Sequence, residues 1–196
     1  MVENTQNIIR KDGGLYNIGM RRLISVESYS DTFVIHKGVE FIAECAFWRC
    51  ENLKQVVIPN SVIDIGKSAF AGCKSLIEVI IPDSVTTIGS DAFAYCESME
   101  KVVLPSSLTF MGVRAFYGCY SLKQIIYRNH IFNVEEILPH VINANEYLSF
   151  GISDSGCFMP LVIDVVLRTY WGHNYDGLFK LWSDCKVDTR ESNIYY

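Results

Sequence analysis

The chain has 196 residues, 49% of them hydrophobic and 20% charged, a composition that excludes wholesale disorder and the collagen-like and low-complexity classes. Its 17 basic and 22 acidic residues leave a net charge of −5. No segment carries the basic stripe needed to neutralise phosphates, so neither nucleic acid nor an anionic membrane surface is expected as a partner.

At this length one domain, or one domain with an appendage, is expected. Residues 1–10 contain Glu3 and no apolar core of the length a signal peptide needs. The most apolar run, residues 157–167, is 11 residues long and contains Asp164. A membrane-spanning helix needs about 20 apolar residues, so no span is expected. Residues 1–30 read as an N-terminal cap or a degenerate repeat, with Ile18-Gly19 in the turn position. That places the pair 24 residues before Ile42-Ala43, one residue more than the spacing found further along the chain.

From residue 31 a 23-residue period takes over. Ala-Phe recurs at Ala46-Phe47, Ala69-Phe70, Ala92-Phe93 and Ala115-Phe116, each Phe followed three residues later by Cys50, Cys73, Cys96 or Cys119. Ile58-Pro59, Ile81-Pro82 and Leu104-Pro105 keep the same step, as do Ile65-Gly66, Ile88-Gly89 and Met111-Gly112. Full units span 54–76, 77–99 and 100–122. A weaker one spans 31–53, with His36 in place of proline, and a further strand starts at 123–127.

Within a unit, Leu76, Val79 and Ile81 have the spacing of a short strand with alternate residues inward. Pro82 ends it, because proline cannot donate to a ladder. Val85 and Ile88 form a second inward layer. Gly89 suits a tight turn, with positive φ allowed. Ser90-Asp91 is placed to start a helical turn that buries Ala92, Phe93 and Cys96. One unit alone cannot bury its apolar face, so stability belongs to the stacked array.

Residues 128–196 leave the pattern and read as a C-terminal cap or small helical appendage. Residues 131–138 and 159–170 have helix-like apolar spacing, Pro160 suits a first helical turn, and residues 171–177 form a turn-rich break.

The unit closely resembles the BspA-like, or Treponema-type, leucine-rich repeat, whose pattern residues 76–96 match at every defined position. The resemblance covers residues 31–127. It implies an α/β-type repeat solenoid, a right-handed superhelix of short parallel strands with a 23-residue period, here with a partly helical C-terminal cap. It also implies a protein that binds other proteins or a surface, often at the cell surface or secreted. The absence of a visible leader leaves the compartment open.

Among candidate sites, four of the seven cysteines lie in the repeat ladder and read as buried thiols rather than disulfides or zinc ligands. No Cys-x-x-Cys occurs; Cys45 and Cys50 have the nearest spacing. His36, His130, His140 and His173 form no metal signature, and His173 beside Tyr175 and Asp176 reads as a solvated turn. Glu135-Glu136 reads as a surface pair. No nucleophile elbow, phosphate loop or dinucleotide fingerprint is present. Neither catalysis, a cofactor nor a metal is expected, and an enzyme hosted by 128–196 is the least favoured reading.

The outward-facing strand positions are the candidate binding site. Val34, Val57, Ile80, Val103 and Ile126 recur every 23 residues as an exposed apolar stripe, and Thr32, Gln55, Glu78, Lys101 and Gln124 run beside it. Three explanations stand at this point: a protein-docking face, β-branched residues stabilising the sheet, or cover supplied by the chain's own tail. The expected function is a non-enzymatic interaction module; the alternative is a structural spacer domain of a larger assembly with no ligand of its own.

Overall fold

Alternating buried and exposed residues set each coil's first strand, and the coils stack those strands into a sheet. A computed structural model describes residues 8–27 and 30–135. Among the described residues, thirteen strands form two sheets. They are β1 (Ile8–Lys11), β2 (Gly14–Asn17), β3 (Arg22–Val26), β4 (Thr32–Val34), β5 (Phe41–Ile42), β6 (Gln55–Val57), β7 (Asp64–Ile65), β8 (Glu78–Ile80), β9 (Thr87–Ile88), β10 (Lys101–Leu104), β11 (Phe110–Met111), β12 (Gln124–Tyr127) and β13 (His130–Asn133). One sheet runs β1-β2-β3-β5-β7-β9-β11, the other β13-β12-β10-β8-β6-β4. From β4 onward parallel partners are 23 residues apart along both, as in Lys101 with Glu78 and Ile65 with Ile88, whereas β3 and β5 pair at a spacing of 19, as in Leu23 with Ile42. The solenoid and its period are therefore as the sequence indicates.

The third wall of each coil corrects the expected helical turn. Cys45, Phe47 and Arg49 donate their N–H groups to Lys67, Ala69 and Ala71 of the next coil, at 3.0, 2.7 and 2.8 Å. The alternate residues Ala46, Trp48 and Cys50 donate back three residues to Ala43, Cys45 and Phe47. The same intercoil bonds join Ser68, Phe70 and Gly72 to Ser90, Ala92 and Ala94, and Asp91, Phe93 and Tyr95 to Val113, Ala115 and Tyr117. A helix would spend every N–H inside its own segment. Here alternate N–H groups reach the neighbour, which requires left-handed backbone at Cys45, Arg49, Ser68, Gly72, Asp91, Tyr95, Arg114 and Gly118. Left-handed backbone costs a residue with a Cβ roughly 1–2 kcal/mol, offset here by hydrogen bonds that would otherwise be unmade. The described coils are thus β and turn throughout, not α/β.

Gly89 also differs from expectation. Its φ is not positive; glycine is needed there because the preceding coil's backbone lies against it. A Cβ at Gly89 would sit 2.5 Å from the Lys67 nitrogen, and one at Gly112 would sit 2.2 Å from that of Ser90.

Behind the walls lies one continuous apolar core. Phe47, Phe70, Phe93 and Phe116 are fully buried and stack as a column with ring centroids 4.5, 5.0 and 5.2 Å apart. Phe33 closes that column edge-on at 5.2 Å.

The ends depart from the expected pattern. At the N-terminus β1, β2 and β3 form an antiparallel meander, and Leu23, not Ile18, pairs with Ile42. Ile18 is exposed in the β2–β3 turn. The turn between β1 and β2 is Asp12-Gly13, both with positive φ, a hairpin signal the sequence reading passed over. At the other end, the helix-like spacing over 131–138 gives way at 131–133 to strand β13, antiparallel to β12 through the positive-φ pair Arg128-Asn129, while Val134 and Glu135 are helical and 136–138 lie outside the described residues. The open edge of β12 supplies hydrogen-bond partners that local apolar spacing does not reveal. The proposed helical cap otherwise falls on residues 136–196, outside the described residues.

Candidate functional site

The outer face of the second sheet carries the candidate residues. In β4, β6, β8, β10 and β12 the buried Phe33, Val56, Val79, Val102 and Ile125 hold each strand to the core. Because side chains alternate across a strand, the flanking residues face outward. Val34, Val57 and Ile80 are 60%, 43% and 57% exposed, while Val103 and Ile126 are half-buried. Their register makes them adjacent: Val34 beside Val57, Ile80 beside Val103, and Val103 beside Ile126. Strand β13 extends the line, since Ile131 pairs with Ile126 and is 62% exposed. Sequence reasoning missed Ile131; the cue was a turn pair between two apolar runs. Six strands about 4.8 Å apart give the stripe a length of roughly 24 Å.

The polar column beside it is structured as well. Thr32 and Gln55 are exposed, and Glu78, Lys101 and Gln124 are half-buried. Lys101 Nζ lies 2.6 Å from Glu78 Oε1. One position further out, Lys54 pairs with Asp31 at 3.7 Å and Lys123 with Glu100 at 2.9 Å, with exposed Ile77 between them. An open depression of 520 Å³ lies over Glu78, Lys101 and Gln124 on this side.

These pairs belong to a wider pattern that the sequence reading missed. Glu44 with Lys67, Lys74 with Glu97 and Asp91 with Arg114 also join equivalent positions of neighbouring coils. The cue was opposite charge at a spacing of 23. Each exposed pair contributes at most about 1 kcal/mol.

The ladder thiols are structural. Cys73, Cys96 and Cys119 are buried, and each Sγ donates to the carbonyl of Phe47, Phe70 or Phe93, at 3.2, 3.3 and 3.1 Å. Cys50 is half-buried and Cys45 exposed. Burial pushes the Cys73 and Cys96 thiols well above their ordinary value of 9.0. A raised thiol keeps its proton longer in the fold than in the unfolded chain. Stability is therefore intact below about pH 9 and falls as pH rises beyond it. A thiol reagent at pH 8 is expected to label Cys45 quickly and Cys73, Cys96 and Cys119 only after denaturant is added. Peptide mapping reads each site, and rapid labelling of those three in the folded chain contradicts the ladder.

Other candidates do not converge. His36 packs edge-on against Tyr16 with ring centroids 6.3 Å apart, far in the fold from His130, whose Nδ1 contacts the Arg128 carbonyl. Glu135 is exposed. Glu136, His140, Cys157, His173, Tyr175, Asp176 and Cys185 lie outside the described residues. Among the described residues no three His, Cys, Asp or Glu side chains group to hold a metal ion, and no helix is long and apolar enough to cross a membrane.

No curated protein matches the chain. Solved structures do. The T. pallidum leucine-rich repeat protein is 27% identical over 62% of this chain and 61% of its own, with a TM-score of 0.51. A leucine-rich repeat protein from Eubacterium ventriosum is 26% identical over 63% of this chain and 40% of its own, with a TM-score of 0.50. A leucine-rich cell surface protein from Faecalibacterium prausnitzii is 26% identical over 64% of this chain and 40% of its own, with a TM-score of 0.50. The chain thus matches less than two thirds of the length of each. The family model for the BspA-type leucine-rich repeat region matches residues 26–144 in six copies. That match covers more than half of the chain, which belongs to the BspA-type leucine-rich repeat family.

Proposed function

We propose that the chain is a non-enzymatic protein-interaction module and that the outer face of the β4–β13 sheet is its docking surface. The observation that carries this is the apolar line Val34, Val57, Ile80, Val103, Ile126 and Ile131, rimmed by Gln55, Glu78, Lys101 and Gln124. β-propensity alone favours branched residues on a sheet face, but it does not call for four of them to stand more than two-fifths exposed in one row. The family usually mediates protein interactions, which agrees with this reading. The mechanism is preorganisation: a stacked sheet presents its contacts already ordered, so docking costs little conformational entropy. The rim charges steer and discriminate more than they bind.

Replacing Val57, Ile80 and Val103 together with Glu is expected to reduce partner capture at least tenfold. The far-UV spectrum and melting temperature should stay unchanged, and a Trp48→Glu control on the turn wall should capture normally. Undiminished capture by the triple variant rules the face out as the site. A wild-type chain that captures nothing favours the spacer role instead.

A further inference from the structure

Building on the docking reading, we propose that one occupant of this face is a second copy of the chain. The two copies would meet sheet to sheet with their solenoids antiparallel, about a two-fold axis that runs parallel to the strands between β8 and β10. Symmetry places the axis there. The sheet order is β13-β12-β10-β8-β6-β4, so the gap between β10 and β8 is its centre. An antiparallel two-fold there overlaps all six strands, pairing β10 with β8, β12 with β6 and β13 with β4 of the other copy. Each apolar residue then faces another: Val103 meets Ile80, Ile126 meets Val57 and Ile131 meets Val34.

The polar column is complementary about the same point. Glu78 and Lys101, paired within each chain at 2.6 Å, close with their symmetry mates into a ring of four alternating charges, while Gln55 faces Gln124 and Thr32 faces Asn133. Centring the axis on β8 would set Glu78 against Glu78, and centring it on β10 would set Lys101 against Lys101. The register of fullest overlap is therefore also the one whose central charges attract. A two-fold contact must be self-complementary in this way, residue i meeting j and j meeting i. Further out, Lys54 faces Lys123, but each is already paired within its own chain, with Asp31 and Glu100.

The face is small. Six short strands span roughly 24 Å by 10 Å, well under the ~800 Å² per partner of a standard interface. The dimer is accordingly weak, with a dissociation constant on the order of 100 μM.

Sedimentation equilibrium of the full 196-residue chain, in reductant to keep exposed Cys45 from cross-linking, tests this. Between about 10 μM and about 1 mM the mean mass should rise from 22.3 kDa toward twice that value. Glu78→Lys alone places four lysines at the dimer centre, and Lys101→Glu alone places four glutamates there. Each is expected to weaken association at least tenfold. An equimolar mixture of the two variants sets lysines of one chain against glutamates of the other and should associate at least as well as wild type. Added salt should weaken the mixture most. A wild-type mass that stays at 22.3 kDa, single variants that self-associate normally, or a mixture no better than its components each overturn the proposal. None of these outcomes touches the docking reading, which stands or falls on capture by the Val57, Ile80 and Val103 variant.

Discussion

Alanine at Gly89 is expected to destabilise the solenoid by about 3 kcal/mol, the upper end of what forced overpacking costs. The added methyl would lie 2.5 Å from the Lys67 nitrogen, 2.7 Å from the Gly66 carbonyl carbon and 2.8 Å from the Lys67 Cα. All three are backbone atoms of the preceding coil, so no side chain can swing aside. Relief requires the coils to separate, which lengthens the Gly89 N–H bond to the Ile65 carbonyl, now 2.8 Å. Gly19→Ala is the matched control: nothing lies within 4 Å of its would-be Cβ, and its effect should stay within about 0.5 kcal/mol. Urea unfolding followed by circular dichroism separates the two. Equal midpoints for both variants contradict the close approach of the coils as the reason for glycine.

Truncating Phe93 to alanine is expected to cost about 4 kcal/mol. Its fully buried ring stacks between Phe70 at 5.0 Å and Phe116 at 5.2 Å, so the change leaves a cavity and removes two aromatic contacts. Because coils stabilise one another chiefly as nearest neighbours, the loss falls on both interfaces of the 77–99 coil. Unfolding should then broaden or split as the flanking coils melt apart. Phe110, almost half exposed on β11, serves as the reference, and Phe110→Ala should shift stability by no more than about 0.5 kcal/mol. A Phe93→Ala chain that melts within about 1 kcal/mol of wild type would remove the stacked column as a source of stability.

The strands, the core and the apolar stripe were legible because each depends on residues within one coil. Val79 in, Ile80 out and Ile81 in is a period-two pattern that a single unit displays. What escaped the sequence depends on pairs of coils. The third wall reads as a helical start because Ser90-Asp91 has the residue types of a cap, yet the N–H of Asp91 bonds to Val113 of the next coil. Gly89 reads as a turn glycine, yet what it avoids is a backbone twenty-two residues away. Strand β13 was hidden because residues 130–133 gain a partner only when β12 offers its edge. Part of the site was missed for the same reason, since Ile131 joins the stripe only through that antiparallel return. The charge columns and Asp12-Gly13 were readable cues left unused.

Each ion pair joins two neighbouring coils whose residues differ in charge, whereas the core repeats with every coil. Glu78 is followed by Lys101, Asp91 by Arg114, and Lys74 by Glu97. Tandem copying of residues 77–99 would preserve every buried contact while setting Glu78, Asp91 and Glu97 each against its own duplicate. Lengthening the array by that single coil therefore carries an electrostatic penalty on its surface that its interior does not share.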